Sequence, residues 1–441
     1  MHSAHIKNTV RYYLVIILVL IFLFFSGDFG LIDVQKTALV MAVGIDREDD
    51  TFIVTSQIAI PQSSKQGKAS ETVQLVSRGK TVADAFEEIN AKTGWYPKLV
   101  FCKLLIVGEN TAKENVFDAL DFFLLDEYMS DNCLIATCDS TAKDLLNVTA
   151  LVDPSGSVAM QKVLSPHAKR VGTVLPTTLR KLAIGYFSDS KSGFMPILKT
   201  QPQQEQIGKS PNDNATPNDE ENSDNQSQNG GNGGNDGKQD NQGNQGSQDQ
   251  SGQGGQGKQS QGKQKQGESE QEKPVFSAGE TALFVGGKRV DKLTTEETFA
   301  VGAVKDDLKL ASYSVEENKN ACTLNIKHNA KKSKVVLGPD GRATMKIRLT
   351  LSAGLLDVSK AKPLDEIRDV GNVPSGVFSQ AEKLLTAQIT SAFEKCRACG
   401  CDIFGVGEHL QKYESKRYKD VKDVALKNAL LDIQVTFRGV R

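Results

Sequence analysis

The sequence predicts an α+β protein with an N-terminal transmembrane anchor, followed by two mixed-sheet lobes that a disordered linker separates. Three observations predict this fold class: an apolar run at residues 12–25, a stretch at residues 201–274 with almost no apolar side chains, and interspersed strand-like and helix-like patterns on both sides of that stretch. The predicted organisation is a cytosolic N-terminus and anchor at residues 1–30, a first lobe at 31–200, a linker at 201–274 and a second lobe at 275–441.

The apolar run, YYLVIILVLIFLFF, is the predicted anchor. With the two uncharged residues that follow it, a helix rising about 1.5 Å per residue reaches about 24 Å. This is short of a hydrocarbon core of about 30 Å, but snorkelling of Arg11 and local thinning of the bilayer can make up the difference. Lys7 and Arg11 precede the run, and Asp28 and Asp33 follow it. The positive-inside rule therefore places the N-terminus in the cytosol and the lobes on the far side of the membrane.

Two alternatives to an uncleaved anchor stay open, a cleaved signal peptide and a buried core helix. A signal peptide needs small side chains before the cleavage point, whereas bulky Phe25 stands near that position. No cysteine lies near the end of the run, so this region offers no acceptor for a lipoprotein lipid. We therefore favour an uncleaved helix that contacts membrane lipid directly.

The composition argues against nucleic-acid binding and against a disulfide-held fold. Lys and Arg number 53 against 54 Asp and Glu among 441 residues, and no long basic run occurs. No nucleic acid is therefore expected as a partner. Seven widely spread cysteines, an odd number, do not form the framework of a small secreted domain.

The predicted linker consists mainly of Gln, Asn, Gly, Ser and Asp. Such a segment cannot bury enough apolar surface to offset the entropy of ordering it, so we expect a flexible coil. It is either a spacer or brush that faces the cell wall, or a tolerated surface insertion. We favour the insertion, because lengthening a surface connection costs little stability.

The first lobe is predicted to open with a β-hairpin. Residues 39–45 and 52–60 are strand-like, the second with apolar residues at alternate positions, and the polar run DREDD separates them. The other predicted elements are helices capped by Thr81 with Asp84 and by Thr111 with Glu114, helices at 142–147, 155–165 and 177–185, and strands at 99–107, 133–138 and 194–198.

The second lobe is predicted to begin with another hairpin. Gly286 and Gly287 lie between two strand-like runs, and both turn positions of such a hairpin accept positive φ. The other predicted elements are a short helix capped by Thr294 with Glu297, a long helix capped by Ser379 with Glu382, and strands at 311–315, 321–327, 334–337, 343–352 and 430–437.

The sharpest cluster of reactive side chains is CRACGC at residues 396–401, followed by His409. Three thiolates and an imidazole could hold a structural zinc, and paired cysteines could form a redox site. The irregular spacing, and the place of Cys396 on the apolar stripe of the long helix, favour a third interpretation. In that interpretation the cysteines are buried and pack as small apolar side chains.

No pattern indicates catalysis or a cofactor. The histidines lie in no recognisable nucleophile motif, and the sequence contains neither a P-loop nor a dinucleotide fingerprint. Acidic pairs such as Glu87-Glu88 fall on predicted helix surfaces. We therefore expect no enzyme activity and no cofactor, and we assign no catalytic, cofactor-binding or metal residue; the ligand-binding residues are unknown.

A set of segments in both halves shows a family resemblance. The segments are residues 38–46, 52–61, 79–86, 103–109, 144–146, 195–198 and 277–284, together with CDIFGVGE at residues 401–408. The last of these is the most specific, because it follows a long helix and precedes a basic, tyrosine-containing stretch. Together they resemble the Ger(x)C family, the C subunits of bacterial spore germinant receptors.

The chain also departs from the pattern of that family. Members usually carry a lipobox cysteine followed by Trp-Asp before the first strand, where this chain has SGDFG at residues 26–30. Lipid attachment is therefore not implied, and the apolar helix would replace it. Cys102 stands where histidine is common, Leu125 where arginine is common, and Val406 where a second aromatic is usual. These changes indicate a divergent branch.

The resemblance implies a non-enzymatic receptor component on the outer face of the spore inner membrane. It would work in nutrient-triggered germination beside two integral-membrane receptor subunits, one of them transporter-like. Two other classes of function stay open, a membrane-anchored extracytoplasmic solute- or polymer-binding protein and an envelope hydrolase. Neither explains why both halves resemble one family in the same order.

Overall fold

A computed structural model describes residues 11–21, 37–59, 72–148, 153, 155–201, 275–317, 320–359, 373 and 375–440. Apart from Gln201, the predicted linker lies outside these residues, and so does the predicted anchor from residue 22 onwards. The described residues from Thr37 onwards form two β-sheets with helices packed against them.

Helix α1 covers residues 11–21, and every side chain from Tyr12 to Ile21 is exposed. Among the residues described, every helix falls short of the length and apolarity that a membrane crossing requires. The predicted anchor extends to Phe25, beyond the described end of this helix.

The first sheet has ten strands with a parallel centre and antiparallel edges. Its strands are β1 (Thr37–Glu48), β2 (Thr51–Ala59), β3 (Thr72–Gly79), β4 (Tyr96–Lys98), β5 (Leu104–Val107), β6 (Leu134–Cys138), β7 (Thr177–Thr178), β8 (Ser192–Gln201), β9 (Val275–Val285) and β10 (Lys288–Leu293). The order is β10-β9-β8-β6-β5-β1-β2-β3, with β4 beside β1 and β7 beside β6. Strands β1, β5, β6 and β8 run parallel to one another.

Helices cover both faces of this sheet. They are α2 (Val82–Thr93), α3 (Glu109–Lys113), α4 (Phe117–Leu125), α5 (Ala142–Leu146), α6 (Gly156–Val163), α7 (Ala168–Val171) and α8 (Leu179–Phe187). Strand β5 contributes side chains to the cores on both faces. Leu105 and Val107 pack in one core with α2 and α4. Leu104 and Ile106 pack in the other core with α5 and α6. Because both faces are covered, this strand is apolar throughout.

The second sheet has four strands in the order β11-β12-β13-β14. They are β11 (Ala311–Glu317), β12 (Asn320–Leu337), β13 (Ala343–Val358) and β14 (Leu430–Gly439). The last pair is parallel and the others are antiparallel. The associated helices are α9 (Thr295–Lys305), α10 (Ser375–Cys399), α11 (Val406–Tyr413) and α12 (Ser415–Val421). Helix α10 packs against β11, β14 and α9.

Strands β8 and β9 connect the two parts of the chain. Although they lie on opposite sides of the linker, they pair antiparallel from Gln201 with Val275 to Ser192 with Val285. Neighbouring residues of β9 face different cores, since Phe284 packs with the first sheet's core and Leu283 packs with the core of the second sheet. The mixed α+β fold is confirmed, and the first sheet takes strands from both sides of the linker.

Both predicted hairpins and two of the predicted helix caps are confirmed. Asp49, with φ 50°, lies in the β1–β2 turn, and Gly286 and Gly287, with φ 57° and 80°, form the β9–β10 turn. Thr81 and Thr294 each accept from the backbone N–H three residues on, and the carboxylates at those positions bond back to the cap.

The predicted helix start at Thr111 with Glu114 is wrong. Thr111 lies buried inside α3, where its hydroxyl donates to the carbonyl oxygen of Ile45. The next helix, α4, begins at Phe117 without a side-chain cap. A threonine three residues before an acid is here a core residue, because its hydroxyl has a partner on β1.

The predicted start of the long helix at Ser379 with Glu382 is also wrong. Helix α10 begins at Ser375, so Ser379 lies inside it. Glu382 instead accepts a hydrogen bond of 2.8 Å from the backbone N–H of Phe437 on β14. Tertiary contact with the neighbouring strand, rather than capping, accounts for this acid.

Several strands differ in extent from the prediction. Of residues 99–107, the last four form β5, and the backbone N–H of Cys102 bonds to the carbonyl of Leu99 in a turn before it. The predicted strands at 321–327 and 334–337 are one continuous strand, β12. Strand β3 and helices α11 and α12 were not predicted.

Candidate functional site

The residues between α10 and α11, together with the first two residues of α11, join the two sheets, and we call residues 400–407 the joint segment. Gly400 ends α10 with φ 77°, and Gly405 precedes α11 with φ 76°. Both angles lie in the left-handed region, which favours glycine because it has no Cβ. The two glycines therefore fix where the chain leaves one helix and enters the next.

Cys401 attaches the joint segment to the first sheet. Its side chain is fully buried, and its thiol lies 3.4 Å from two carbonyl oxygens, that of Gly193 on β8 and that of Phe284 on β9. A thiol is small enough to sit against two strands and is a weak donor. It thus contacts the strand pair that connects the two sides of the linker.

Asp402 orders the turn that leads into α11. Its backbone N–H donates to Ser192 Oγ at 2.8 Å, and its carboxylate accepts from the backbone N–H groups of Val406 at 2.8 Å and Gly407 at 2.7 Å. Burial raises the pKa of this carboxyl, while the backbone N–H bonds act in the opposite direction. A negative charge here also complements the positive end of the helix dipole.

Two further contacts connect the joint segment to the second core. The ammonium of Lys305, at the end of α9, donates to the carbonyl oxygen of Ile403. Burial lowers the pKa of Lys305, and the nearby charge of Asp402 opposes that shift. Phe404 packs edge to face on Phe393 of α10, with ring centroids 5.3 Å apart. The joint segment thus contacts β8, β9, α9 and α10.

Asp46, at the end of another segment that carries the family resemblance, has a matching role in the first sheet. Its two oxygens accept from the backbone N–H groups of Ala142 at 2.7 Å and Lys143 at 3.0 Å, at the start of α5. Burial raises the pKa of this carboxyl as well. A Cβ on Gly108 would come within 2.0 Å of Asp46 Oδ1, so a glycine is required beside the carboxylate.

Glu297 connects α9 to α10 next to the joint. Its carboxylate accepts from the Thr294 backbone N–H at 2.9 Å, from the Ser391 hydroxyl at 2.7 Å and from the Lys395 ammonium at 2.6 Å. Burial pushes the pKa of Glu297 upward, but these bonds outweigh it and the pKa lies below the ordinary value. The predicted cap residue Glu297 therefore also forms a partly buried ion pair with Lys395.

The cysteine cluster does not converge on a metal. Cys396 and Cys401 are buried, the Cys399 thiol contacts the carbonyl oxygen of Cys396, and the His409 ring packs at a tilt against Tyr413. Burial raises the pKa of the thiols of Cys396, Cys399 and Cys401, which keeps them protonated and poorly nucleophilic. Within the described ranges, no three His, Cys, Asp or Glu side chains are arranged to hold a metal ion.

A cavity of about 720 Å³ opens beside the joint segment. Its walls carry charges of both signs, from Arg397, Lys422 and Lys427 and from Asp189, Glu394, Asp402 and Asp423, together with the Tyr418 hydroxyl. The lining comes from the loop before β8, the end of α10, the joint segment, α12 and the segment after α12. Such a surface suits a polar ligand or a polar peptide segment.

Sequence reasoning missed the roles of Asp402, Lys305 and Ser192. For Asp402 a signal existed: an aspartate shortly before a helical pattern is typical of a helix N-terminus. For Lys305 and Ser192 the sequence held no such signal, because their partners lie on distant elements and the contacts depend on how the two sheets meet.

Two known proteins are similar to this chain. Spore germination protein A3 of Bacillus subtilis (strain 168) is 22% identical to this chain over 175 residues, which cover 38% of this chain and 46% of that protein. The match therefore spans about half the length of that relative. The crystal structure of the GerBC protein is similar with a TM-score of 0.47 and 13% identity, covering 90% of this chain and 96% of GerBC.

Two family models match the chain in sequence order. The spore germination protein N-terminal domain matches residues 31–200, and the spore germination B3/GerAC-like C-terminal domain matches residues 279–438. Together they cover more than half of the chain and include both the Asp46 site and the joint segment. The chain therefore belongs to the Ger(x)C family of spore germination proteins.

Proposed function

We propose that this chain is a non-enzymatic subunit of a membrane-bound spore germinant receptor, required for nutrient-triggered germination. It would act through assembly with two integral-membrane receptor subunits, one of them transporter-like. The observation that carries the proposal is the match of both family models, in order, over residues 31–200 and 279–438. Residues 31–200 and 275–441 are the corresponding proposed domains, on either side of the linker at 201–274.

A non-enzymatic role is supported by what the buried polar groups do. Asp46 and Asp402 accept from backbone N–H groups at helix starts, and Glu297 is paired with Lys395. The thiols of the 396–401 cluster are buried or half-buried with raised pKa values. Each of these groups has a structural partner, so the arrangement favours assembly over turnover.

The membrane attachment is a separate part of the proposal. Ten successive side chains of α1, from Tyr12 to Ile21, are large, apolar and exposed, which is unfavourable for a helix in water. Burial in the spore inner membrane as an uncleaved, single-pass anchor would remove that exposure. The N-terminus would then lie in the cytosol and both sheets on the outer face, as the flanking charges indicate.

The first experiment deletes the gene in a strain without redundant germinant receptors. We expect normal vegetative growth and normal spores, but a strongly slowed release of dipicolinate after nutrient addition, with rescue by the full chain. Spores of the same strain triggered by exogenous calcium dipicolinate serve as the control and should respond normally. Unchanged nutrient germination would refute the proposal.

The second experiment isolates the complex. Full-length chain carrying a C-terminal affinity tag, purified from spore membranes in mild detergent, should bring down two multi-spanning proteins. A C-terminal reporter should be active outside the cytosol. A cytosolic reporter would overturn the proposed topology, whereas recovery without membrane partners would overturn the proposed assembly.

A further inference from the structure

Six large apolar side chains are exposed on strand β4 and on the connections that lead into β4, β5 and β6, and we call them the edge patch. They are Trp95, Tyr96, Val100, Phe101, Leu125 and Tyr128, with exposed fractions between 38% and 84%. Such side chains occur singly on most surfaces, but a group of them indicates a contact surface.

The topology brings these connections to one edge of the sheet. Strands β1, β5 and β6 are parallel, with Ala42 opposite Leu104 and Leu104 opposite Leu134. Parallel strands begin at the same edge, so the chain entering β5 and the chain entering β6 lie side by side. The turn before β5 carries Val100 and Phe101, and the connection before β6 carries Leu125 and Tyr128.

A direct contact shows that the groups are neighbours. The ammonium of Lys98 on β4 lies 4.6 Å from the centre of the Tyr128 ring. Strand β4 also pairs with the first residues of β1, Thr37 opposite Tyr96. Trp95 and Tyr96 therefore lie where the chain enters β1.

Strand β1, the first described strand after the apolar run, begins at this same edge. That run ends at Phe25 and β1 begins at Thr37, and a chain of this length reaches roughly 40 Å at most. A membrane that holds the run is thereby kept within reach of the edge patch. Trp and Tyr are also the side chains that prefer the level of the lipid headgroups.

We infer that the edge patch rests on the membrane surface, with Trp95, Tyr96, Phe101 and Leu125 in the headgroup and upper acyl-chain region of the bilayer. The contact fixes how the first sheet is oriented above the membrane, with the starts of β1, β5 and β6 toward lipid. It rests on the proposed membrane attachment of the N-terminal run and adds a second, independent point of contact.

Trp95 makes the inference directly measurable, because it is the single tryptophan of the chain. Full-length chain is reconstituted into phosphatidylcholine vesicles, some containing lipid brominated near the headgroup end of the acyl chain and others lipid brominated near the chain terminus. We expect stronger quenching of Trp95 fluorescence by the shallow bromines than by the deep ones, and a blue-shifted emission compared with the chain in detergent.

Variants separate the edge patch from the rest of the surface. Phe101→Ser combined with Leu125→Ser should reduce the shallow quenching by at least half, since both side chains are exposed and their loss should leave the fold intact. Leu356→Ser combined with Tyr413→Ser removes two apolar side chains of similar exposure, 56% and 64%, from β13 and α11. This control pair should leave the quenching unchanged.

Flotation of the vesicles distinguishes failure of this inference from failure of the attachment. A chain that floats with the vesicles while Trp95 stays unquenched would overturn the edge contact and leave the anchor in place. This result is also expected if the patch binds another protein, because the vesicles contain none. A chain that does not float would overturn both. Equal loss of quenching in the two double variants would likewise refute the assignment to these residues.

Discussion

Single residues in this protein show one recurring device, a buried carboxylate that receives two backbone N–H groups at the start of a helix. Asp46 does this for α5 and Asp402 for the turn into α11. A buried acid without such donors would leave costly unpaired charge. Both carboxylates lie in segments that carry the family resemblance, residues 38–46 and 401–408.

Asp402→Asn should destabilise the protein by about 1–3 kcal/mol, the usual cost of a buried donor left without an acceptor. Asparagine offers one oxygen, so either the Val406 or the Gly407 N–H loses its partner. Thermal unfolding of the full chain in detergent measures the loss. Asp423→Asn, at an exposed acid of the same cavity, is the matched control and should change little. Equal effects of the two substitutions would contradict the proposed role.

Glu297→Gln should make stability less dependent on acid pH. Because the folded pKa of Glu297 is lowered, its stabilisation is present above the ordinary glutamate value and is lost as pH falls through the folded pKa. At neutral pH we expect a loss of about 2 kcal/mol, typical of a hydrogen-bonded charged group.

The difference between wild type and Glu297→Gln should shrink as the pH is lowered from 7 to 3 in chemical denaturation. Glu296→Gln, at the exposed neighbouring acid of the same helix turn, is the control. A pH-independent difference would show that the carboxylate's charge is not what stabilises the contact between α9 and α10.

Among the strands and helices, β9 has the strictest requirement for apolar side chains. It is one strand of the first sheet, yet alternate side chains belong to different cores. A strand of this kind must be apolar on both faces, as the run ALFV at residues 282–285 is. A destabilising substitution in β9 should therefore weaken the packing of the cores on both sides of the first sheet.

Leu283→Ala should destabilise the protein by about 2–5 kcal/mol, the range for a buried leucine. Since β9 is shared, we expect one cooperative unfolding transition at lower denaturant, with both sheets lost together. Val290→Ala, at a half-exposed residue of neighbouring β10, should be nearly neutral. Two separated transitions in Leu283→Ala would contradict the view that β9 couples the cores.

The elements also show what sequence patterns could predict. Hairpins with polar or glycine turns and two of the helix caps follow from local rules, because their hydrogen-bond partners lie within a few residues. The acids at Glu114 and Glu382 look the same locally, yet their partners are Arg47 and the Phe437 backbone on distant strands. The joint segment could be recognised as a motif, but its contacts with Ser192 and Lys305 depend on tertiary packing.

At the scale of the whole molecule, the linker is a connection between two strands that pair directly. Gln201 and Val275 are opposite each other at the start of the β8–β9 ladder. The first sheet is consequently one structure made from two distant parts of the sequence. The pattern of the sequence suggested two lobes on either side of the linker, since strand pairing across so long a gap leaves no local signal.

Replacing residues 203–273 with a four-residue turn should keep the fold. If the segment is a flexible coil of about 70 residues, closing a shorter loop should raise stability by about 2 kcal/mol. Urea denaturation of the full chain with and without the segment tests this. A scrambled linker of equal length and composition should match wild type. A marked loss of stability in the shortened chain would show that the linker itself contributes structure.

The β8–β9 ladder also sets an order of events during synthesis. By the time Gln201 leaves the ribosome, the partner strand β6 has already been made, whereas β9 has not. The hydrogen-bonding edge of β8 stays open until the whole linker and Val275 have followed, and an open strand edge can pair with the wrong chain. The intervening residues 202–274 are mostly polar, so their sequence offers few of the apolar side chains that a competing strand would need while β8 waits for β9.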